Sequence, residues 1–124
     1  MLLPELLSKK TQSAEESIIT LSLRIPSELE FFIGHFPDFP ILPGVVQIHW
    51  ATHFAREQWS VLGQFSRLES IKFHSVILPN TALDLNLQWR PEKSWLDFTY
   101  ASTQKKYANG RIVFISELAN NDAV

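Results

Sequence analysis

Gly34-His35-Phe36-Pro37 is the stretch of this 124-residue chain whose residue types could do chemistry. Pro37, Pro40 and Pro43 bar a helix from the residues that precede them and push the backbone toward extended or turn geometry. A histidine in so stiff and apolar a loop has a fixed orientation, and burial there disfavours its charged form. A neutral imidazole near pH 7 is what a general base needs. Nine residues after His35, Pro43-Gly44 opens the one long helical pattern, with proline at a position where its missing N–H costs nothing. Unpaired N–H groups at a helix start favour negative charge, and Gly44 has no side chain to keep a ligand oxygen from its own N–H. A base beside such donors suits enolate or oxyanion chemistry at a carbonyl. A buried structural histidine beside an ordinary proline turn has the same spacing, and residue types alone leave both readings open.

The remaining polar side chains offer less. His49 and His53 stand four apart on the helical pattern, so they share a face and could ligate zinc or nickel. With no cysteine in the chain and no carboxylate between them in the HExxH manner, a physiological metal is not expected. His74 is expected on the solvent face of its strand, opposite Phe73. Lys105, Lys106 and Arg111 flank an expected hairpin; a solvated turn is the simpler reading, a patch for an acidic partner the functional one. Trp50, Trp59, Trp89 and Trp95 are expected to fill core and interface rather than to touch a cofactor.

The elements that must hold these residues are legible from periodicity. Residues 1–16 are expected to form an N-terminal arm, with a short helix possible from Leu6 to Glu15. From Ile19 to Ile25 apolar and polar residues alternate strictly, which predicts a half-buried strand. Gly44 to about Trp59 predicts a helix apolar on nearly all sides, hence central and buried, with Gly63 marking its exit. Glu69–Leu78, Leu83–Trp89, Trp95–Ser102 and Arg111–Glu117 read as strands, and Asn109-Gly110 as a tight hairpin turn. Short turns imply antiparallel neighbours, so the fold class is α+β: one helix wrapped by a curved antiparallel sheet of five to six strands.

Composition sets the outer bounds. One domain is expected over residues 1–124, with 45% hydrophobic residues against 19% charged, enough for a single core. Eleven basic and thirteen acidic side chains leave a net charge of -2, which gives no electrostatic case for nucleic acid. No apolar run approaches the roughly 20 residues a membrane span needs. The lack of cysteine removes disulfides and thiolate chemistry and suits a reducing cytoplasm, the expected location.

The run His35-Phe36-Pro37-Asp38-Phe39-Pro40-Ile41-Leu42-Pro43-Gly44-Val45-Val46 resembles the HFPGxPxxPGV signature of the hot-dog-fold 3-hydroxyacyl-[acyl-carrier-protein] dehydratases. Ile71-Lys72-Phe73 followed by Val76-Ile77-Leu78-Pro79-Asn80-Thr81 is similar to the strand and turn after the helix in the same enzymes. Gln47-Ile48-His49-Trp50-Ala51 looks closest to the branch associated with aryl polyene biosynthesis. The resemblance implies a hot-dog fold and a homodimer whose two active sites each pair residues from both protomers. It implies dehydration of 3-hydroxyacyl thioesters on acyl carrier protein to trans-2-enoyl thioesters, in fatty-acid or polyene-type biosynthesis. No cofactor is implied, because the thioester itself acidifies the α-proton.

By position, His35 matches the family's catalytic histidine, and Gly44 the glycine whose amide polarises the thioester carbonyl, with Val45 beside it as a substrate contact. His49 falls where the family has Glu or Asp, so it is the candidate acid or positioning group, and the pattern departs there. Asp38 replaces the motif's usual glycine and His53 its usual glutamine, making both candidate accessory residues. An imidazole can serve in place of a carboxyl group only by donating an N–H, so one neutral base and one protonated donor is the self-consistent state of two histidines. The competing expectations are a hot-dog acyl thioesterase, with water in place of the 3-hydroxyl, and a non-catalytic acyl-binding or partner subunit.

Overall fold

The computed structural model describes residues 3–11, 17–27 and 41–115. These residues form β1 (Glu5–Thr11), β2 (Ile18–Arg24), α1 (Gly44–Gln58), β3 (Gln64–Phe73), β4 (Ala82–Arg90), β5 (Trp95–Ala101) and β6 (Lys106–Ile115). The strands make one six-stranded sheet in the order β1-β2-β4-β5-β6-β3, antiparallel throughout. One helix against one antiparallel sheet is the architecture that the periodicity predicts.

Alternation aligns the core. Ile19, Leu21 and Leu23 of β2, Leu83, Leu85, Leu87 and Trp89 of β4, and Leu96, Phe98 and Tyr100 of β5 are all buried on the helix side. Cross-strand partners share a face, and one row runs Leu21–Leu85–Tyr100–Ala108–Phe73 across five strands. That row ends at Phe73, on the sheet's edge strand, and so brings its ring to the start of the helix.

Helix α1 begins one residue after Pro43 and ends with Trp59 as its C-cap, whose N–H donates to the Ala55 carbonyl at 2.7 Å. Its buried residues are Gln47, Trp50, Ala51, Phe54 and Ala55, a single stripe at helical spacing. The apolar count predicts burial on nearly all sides; the sheet covers only one. Val45 is 74% exposed, His49 is exposed, and Val46 and Ile48 are only partly buried.

Several boundaries differ from expectation. Residues 5–11 are a strand, not an arm or a helix; every residue of β1 is exposed, so no burial pattern marks it in the sequence. Gly63, at φ 88°, lies in the connection beyond the helix rather than at its cap, which falls at extended Trp59. The strand expected at Glu69–Leu78 is β3 at Gln64–Phe73. Its register shifts between Glu69 and Lys72, around Ser70 at φ 55°, and the chain then leaves the sheet, with the His74 and Ser75 N–H groups both donating to the Tyr107 carbonyl.

Asn109-Gly110 is not a turn but the middle of β6; the hairpin is at Ser102–Lys105, closed by Ser102 N–H donating to the Lys105 carbonyl at 2.8 Å. Gly110 is there for close approach: a Cβ would lie 2.3 Å from Ile71 Cδ1 and 3.1 Å from Phe98 Cε2. Lys105 and Lys106 do flank the hairpin, whereas Arg111 sits within the sheet, stacked 3.7 Å from the Trp95 ring centroid and bonded to Asp97 at 2.9 Å. Among the described residues, no helix is long and apolar enough to cross a membrane.

Candidate active site

Three segments meet at the start of α1. Residues 41–43 enter extended, with Pro43 at φ −62° and ψ 146°, and the Leu42 N–H donates to the Ile77 carbonyl at 2.8 Å. The β3–β4 connection therefore clamps the helix entry, and its far end is tied to β2 by Asn80 N–H donating to the Ile25 carbonyl at 2.7 Å. Between residues 41–44, Gln47 and residues 73–76 lies a cavity of about 290 Å³.

The donors at its edge follow from helix geometry. The N–H groups of Val46 and Gln47 both turn back to the Pro43 carbonyl, at 3.1 and 3.2 Å. Those of Gly44 and Val45, the first two of the helix, have no acceptor among the described residues, and no side chain caps them. A Cβ on Gly44 would stand 2.5 Å from Phe73 Cζ and 2.9 Å from both ring Cε atoms, so glycine is what lets the ring lie across the helix start. An open pair of amides at the positive end of a helix, beside an apolar ring, can polarise a carbonyl oxygen and hold an oxyanion.

Gln47 forms part of the wall and is 3% exposed. Its Nε2 donates to the Leu42 carbonyl at 3.2 Å, while its Oε1 is buried with no partner among the described residues. The Gln47 backbone carbonyl accepts from the Tyr100 hydroxyl at 2.6 Å. Burial holds that phenol well above its ordinary value, so it stays a neutral donor.

The structure brings together only some of the expected site residues. Gly44 is at the cavity as expected. Val45 projects outward, and His49 and His53 lie on the open face of α1 and do not line the cavity of their own chain. Five residues on from Gly44, His49 is carried to the uncovered side of the helix, and His35, which it is expected to face, lies outside the described residues. His53 Nε2 is 3.6 Å from Glu57 Oε1, and its ring meets Phe54 edge-on at 5.2 Å. No group of three His, Cys, Asp or Glu side chains suited to a metal gathers among the described residues. His35 and Asp38 lie outside the described residues, as do Phe31, Phe32 and Phe36.

Two cavity residues are not among the expected site residues. Gln47 is the one polar residue between Val45 and Ile48, a signal visible in the sequence. His74 is exposed as expected, yet it lines this same cavity, with Nε2 held 2.6 Å from Asn109 Oδ1. Nothing in the sequence shows that β3 ends one residue earlier and turns it there. A larger depression of about 410 Å³, beside Trp59 and Trp89 at the other end of the helix, holds none of the expected residues.

Comparison with known proteins gives a consistent result. The family model described as ApeI-like, ApeI dehydratase, matches residues 10–111. The chain is similar to a protein in the dehydratase heterocomplex ApeI:P from Xenorhabdus doucetiae, with a TM-score of 0.82 and 29% identity over 90% of this chain and 97% of that one. It is 29% identical over 117 residues to an uncharacterized thioester dehydrase of Halalkalibacterium halodurans, covering 81% of this chain and 72% of the relative. It is 32% identical over 65 residues to the 3-hydroxyacyl-[acyl-carrier-protein] dehydratase FabZ of Ruminiclostridium cellulolyticum, covering 47% of this chain and 46% of that protein. The match thus spans about half the length of the FabZ relative.

Proposed function

The chain belongs to the ApeI-like dehydratase family, hot-dog lyases of 3-hydroxyacyl thioesters in fatty-acid and polyene-type biosynthesis, and from that premise we propose how its own residues divide the work. The Gly44 N–H, with that of Val45 beside it, receives the thioester carbonyl and holds the enolate oxygen. His35 takes the proton from C2; the electron pair of that C–H bond becomes the C2–C3 double bond. The C3–O bond breaks, and the hydroxyl leaves as water with a proton donated by His49. Asp38 and His53 are accessory. The observation that carries the reading is the pair of amides at Gly44 and Val45, which have no acceptor among the described residues, beside a cavity lined by the Phe73 ring.

Because His49 faces away from its own chain's cavity, its part requires a second subunit that turns the open helix face toward a neighbouring site. We take that subunit to be a second copy, making a homodimer, and the substrate to be carried on acyl carrier protein. The similar chain, which comes from a heterocomplex, favours a second reading in which the neighbour is a related chain. A cytoplasmic setting suits a cysteine-free chain with this role. A thioesterase or a silent acyl-binding subunit would use the same donors without breaking the C3–O bond.

Kinetics of two variants test the assignment. His35→Ala should slow dehydration at least ~100-fold, the scale of a positioned general base. His49→Ala should also lower the rate, whereas His49→Glu, with the family's usual carboxyl group, should keep or raise it. Full activity in His35→Ala would remove it from the reaction, and His49→Ala at the wild-type rate would make His49 a spectator.

A further inference from the structure

We propose that Lys72, Lys105 and Lys106 form the surface on which acyl carrier protein docks to present its thioester to the cavity at Gly44. The inference rests on the dehydratase reading of that cavity and adds to it the place where the carrier is held.

The lysines gather where β3 ends beside the hairpin that joins β5 to β6. Lys72 pairs with Asn109; Phe73, the next residue, pairs with Ala108 and lines the cavity. His74 and Ser75 also line it, and both donate their N–H groups to the Tyr107 carbonyl, at 2.8 and 3.1 Å. Lys105 Nζ stands 5.2 Å from the centroid of that same tyrosine's ring, and Lys106 lies between the two in sequence. Lys72, Asn109 and Thr99 share the outer face of the sheet, opposite buried Tyr100 and Ala108. Lys106 is across from Ala101, two residues on from Thr99, and so belongs to that outer face as well. One wall of the cavity and the lysine cluster are thus carried by the same backbone.

Nothing among the described residues uses these charges. Lys72, Lys105 and Lys106 are all exposed, and none of them has an ion pair there. The carboxylates of the neighbouring strands are engaged elsewhere: Glu69 by Arg67 at 2.8 Å, and Asp97 by Arg90 and Arg111 at 3.0 and 2.9 Å. Asp84 accepts from the Ser22 hydroxyl at 2.7 Å. The hairpin closes without the ammonium groups, through Ser102 N–H on the Lys105 carbonyl and the Gln104 and Lys105 N–H groups on Ser102 Oγ.

A chain of net charge -2 therefore keeps a cationic corner beside its cavity, and such a corner attracts an anion. The lysines border the cavity without lining it, so they meet what carries the acyl group rather than the acyl group itself. An acidic carrier domain, with its thioester at the end of a phosphodiester-linked arm, has the complementary charge. A second copy placed across a two-fold axis at this corner would set lysine against lysine.

The test gives the purified full chain, in the assembly it forms, one 3-hydroxyacyl group on two thiols: acyl carrier protein and uncharged N-acetylcysteamine. Reversing the charges together, as Lys72→Glu, Lys105→Glu and Lys106→Glu, should lower kcat/KM for the carrier substrate roughly tenfold or more, through KM, and leave the small thioester within about twofold. Lys→Arg at the same positions should keep the wild-type values. Rising ionic strength should lower the wild type's kcat/KM for the carrier substrate and leave that of the reversed variant flat. An unchanged kcat/KM for the carrier substrate would overturn the proposal, as would equal losses for both substrates. A change in the mass of the assembly by light scattering would also overturn it, making the corner a contact between subunits. Should the reversed variant fail to fold, Lys105→Ala with Lys106→Ala repeats the comparison under the same criteria, with a smaller loss confined to the carrier substrate. A wild type that turns over neither thioester defeats the dehydratase reading itself; an active wild type with indifferent lysines defeats only this assignment.

Discussion

Tyr100 and Gly44 show how single residues set the site. Tyr100 is fully buried, and its hydroxyl is held far above the ordinary value near 10 because ionising it would strand a phenolate in the core. The sign follows from linkage: a raised folded-state pKa leaves stability intact below pH ~10, and that stability is lost as pH rises further and the unfolded chain's tyrosine ionises. Tyr100→Phe should cost about 1 kcal/mol at neutral pH, for the lost bond to the Gln47 carbonyl. Thermal unfolding should show the wild type's advantage shrinking and then reversing above about pH 10. A constant gap between the two proteins across that range would refute the account of Tyr100. The motif made Gly44 legible in the sequence, since proline then glycine marks a helix start with free N–H groups. The Phe73 ring over it, and His49 on the open helix face, depend on which side the sheet covers, and no local pattern carries that.

The strands with one buried face were legible because alternation records burial directly. β2, β4 and β5 match their expected runs for that reason. β1 has no buried face and left no pattern, so pairing alone defines it. Asn109-Gly110 misled because that dipeptide suits a hairpin and, through glycine, also suits a strand that another chain segment approaches closely. The structure decides between them by the Ile71 side chain, which occupies the space of a Gly110 side chain, and by Ile71 Cα, 3.2 Å from the same point. Backbone cannot yield as a ring end can. Gly110→Ala should therefore destabilise the protein by roughly 1–3 kcal/mol, the range for overpacking, read as a lowered Tm. A Tm equal to wild type would mean that β3 and β6 are not so closely apposed.

At the scale of the whole molecule, the uncovered side of α1 and the edge strand β3 leave Val45, Phe65, Leu68, Phe73 and Val76 exposed together with His49. Unpaired edges with apolar side chains call for a cover, and in the proposed homodimer a second copy would supply it. Light scattering at micromolar concentration should find twice the 14.3 kDa of one chain, and a single-chain mass alone would contradict the homodimer. The fold was legible at this scale because a single helix among short-linked strands permits few arrangements; the assembly was not, because neither its surface nor its partner is written in one chain's periodicity. What the account requires above all is that this cavity removes water. Incubating the protein in its native assembly with 3-hydroxyacyl thioesters on acyl carrier protein, and analysing the acyl group by mass spectrometry, tests that directly. The account predicts a trans-2-enoyl thioester lighter by one water and still attached to its carrier. Release of the free carrier thiol with the hydroxyl intact, or no change in any acyl chain offered, would contradict it.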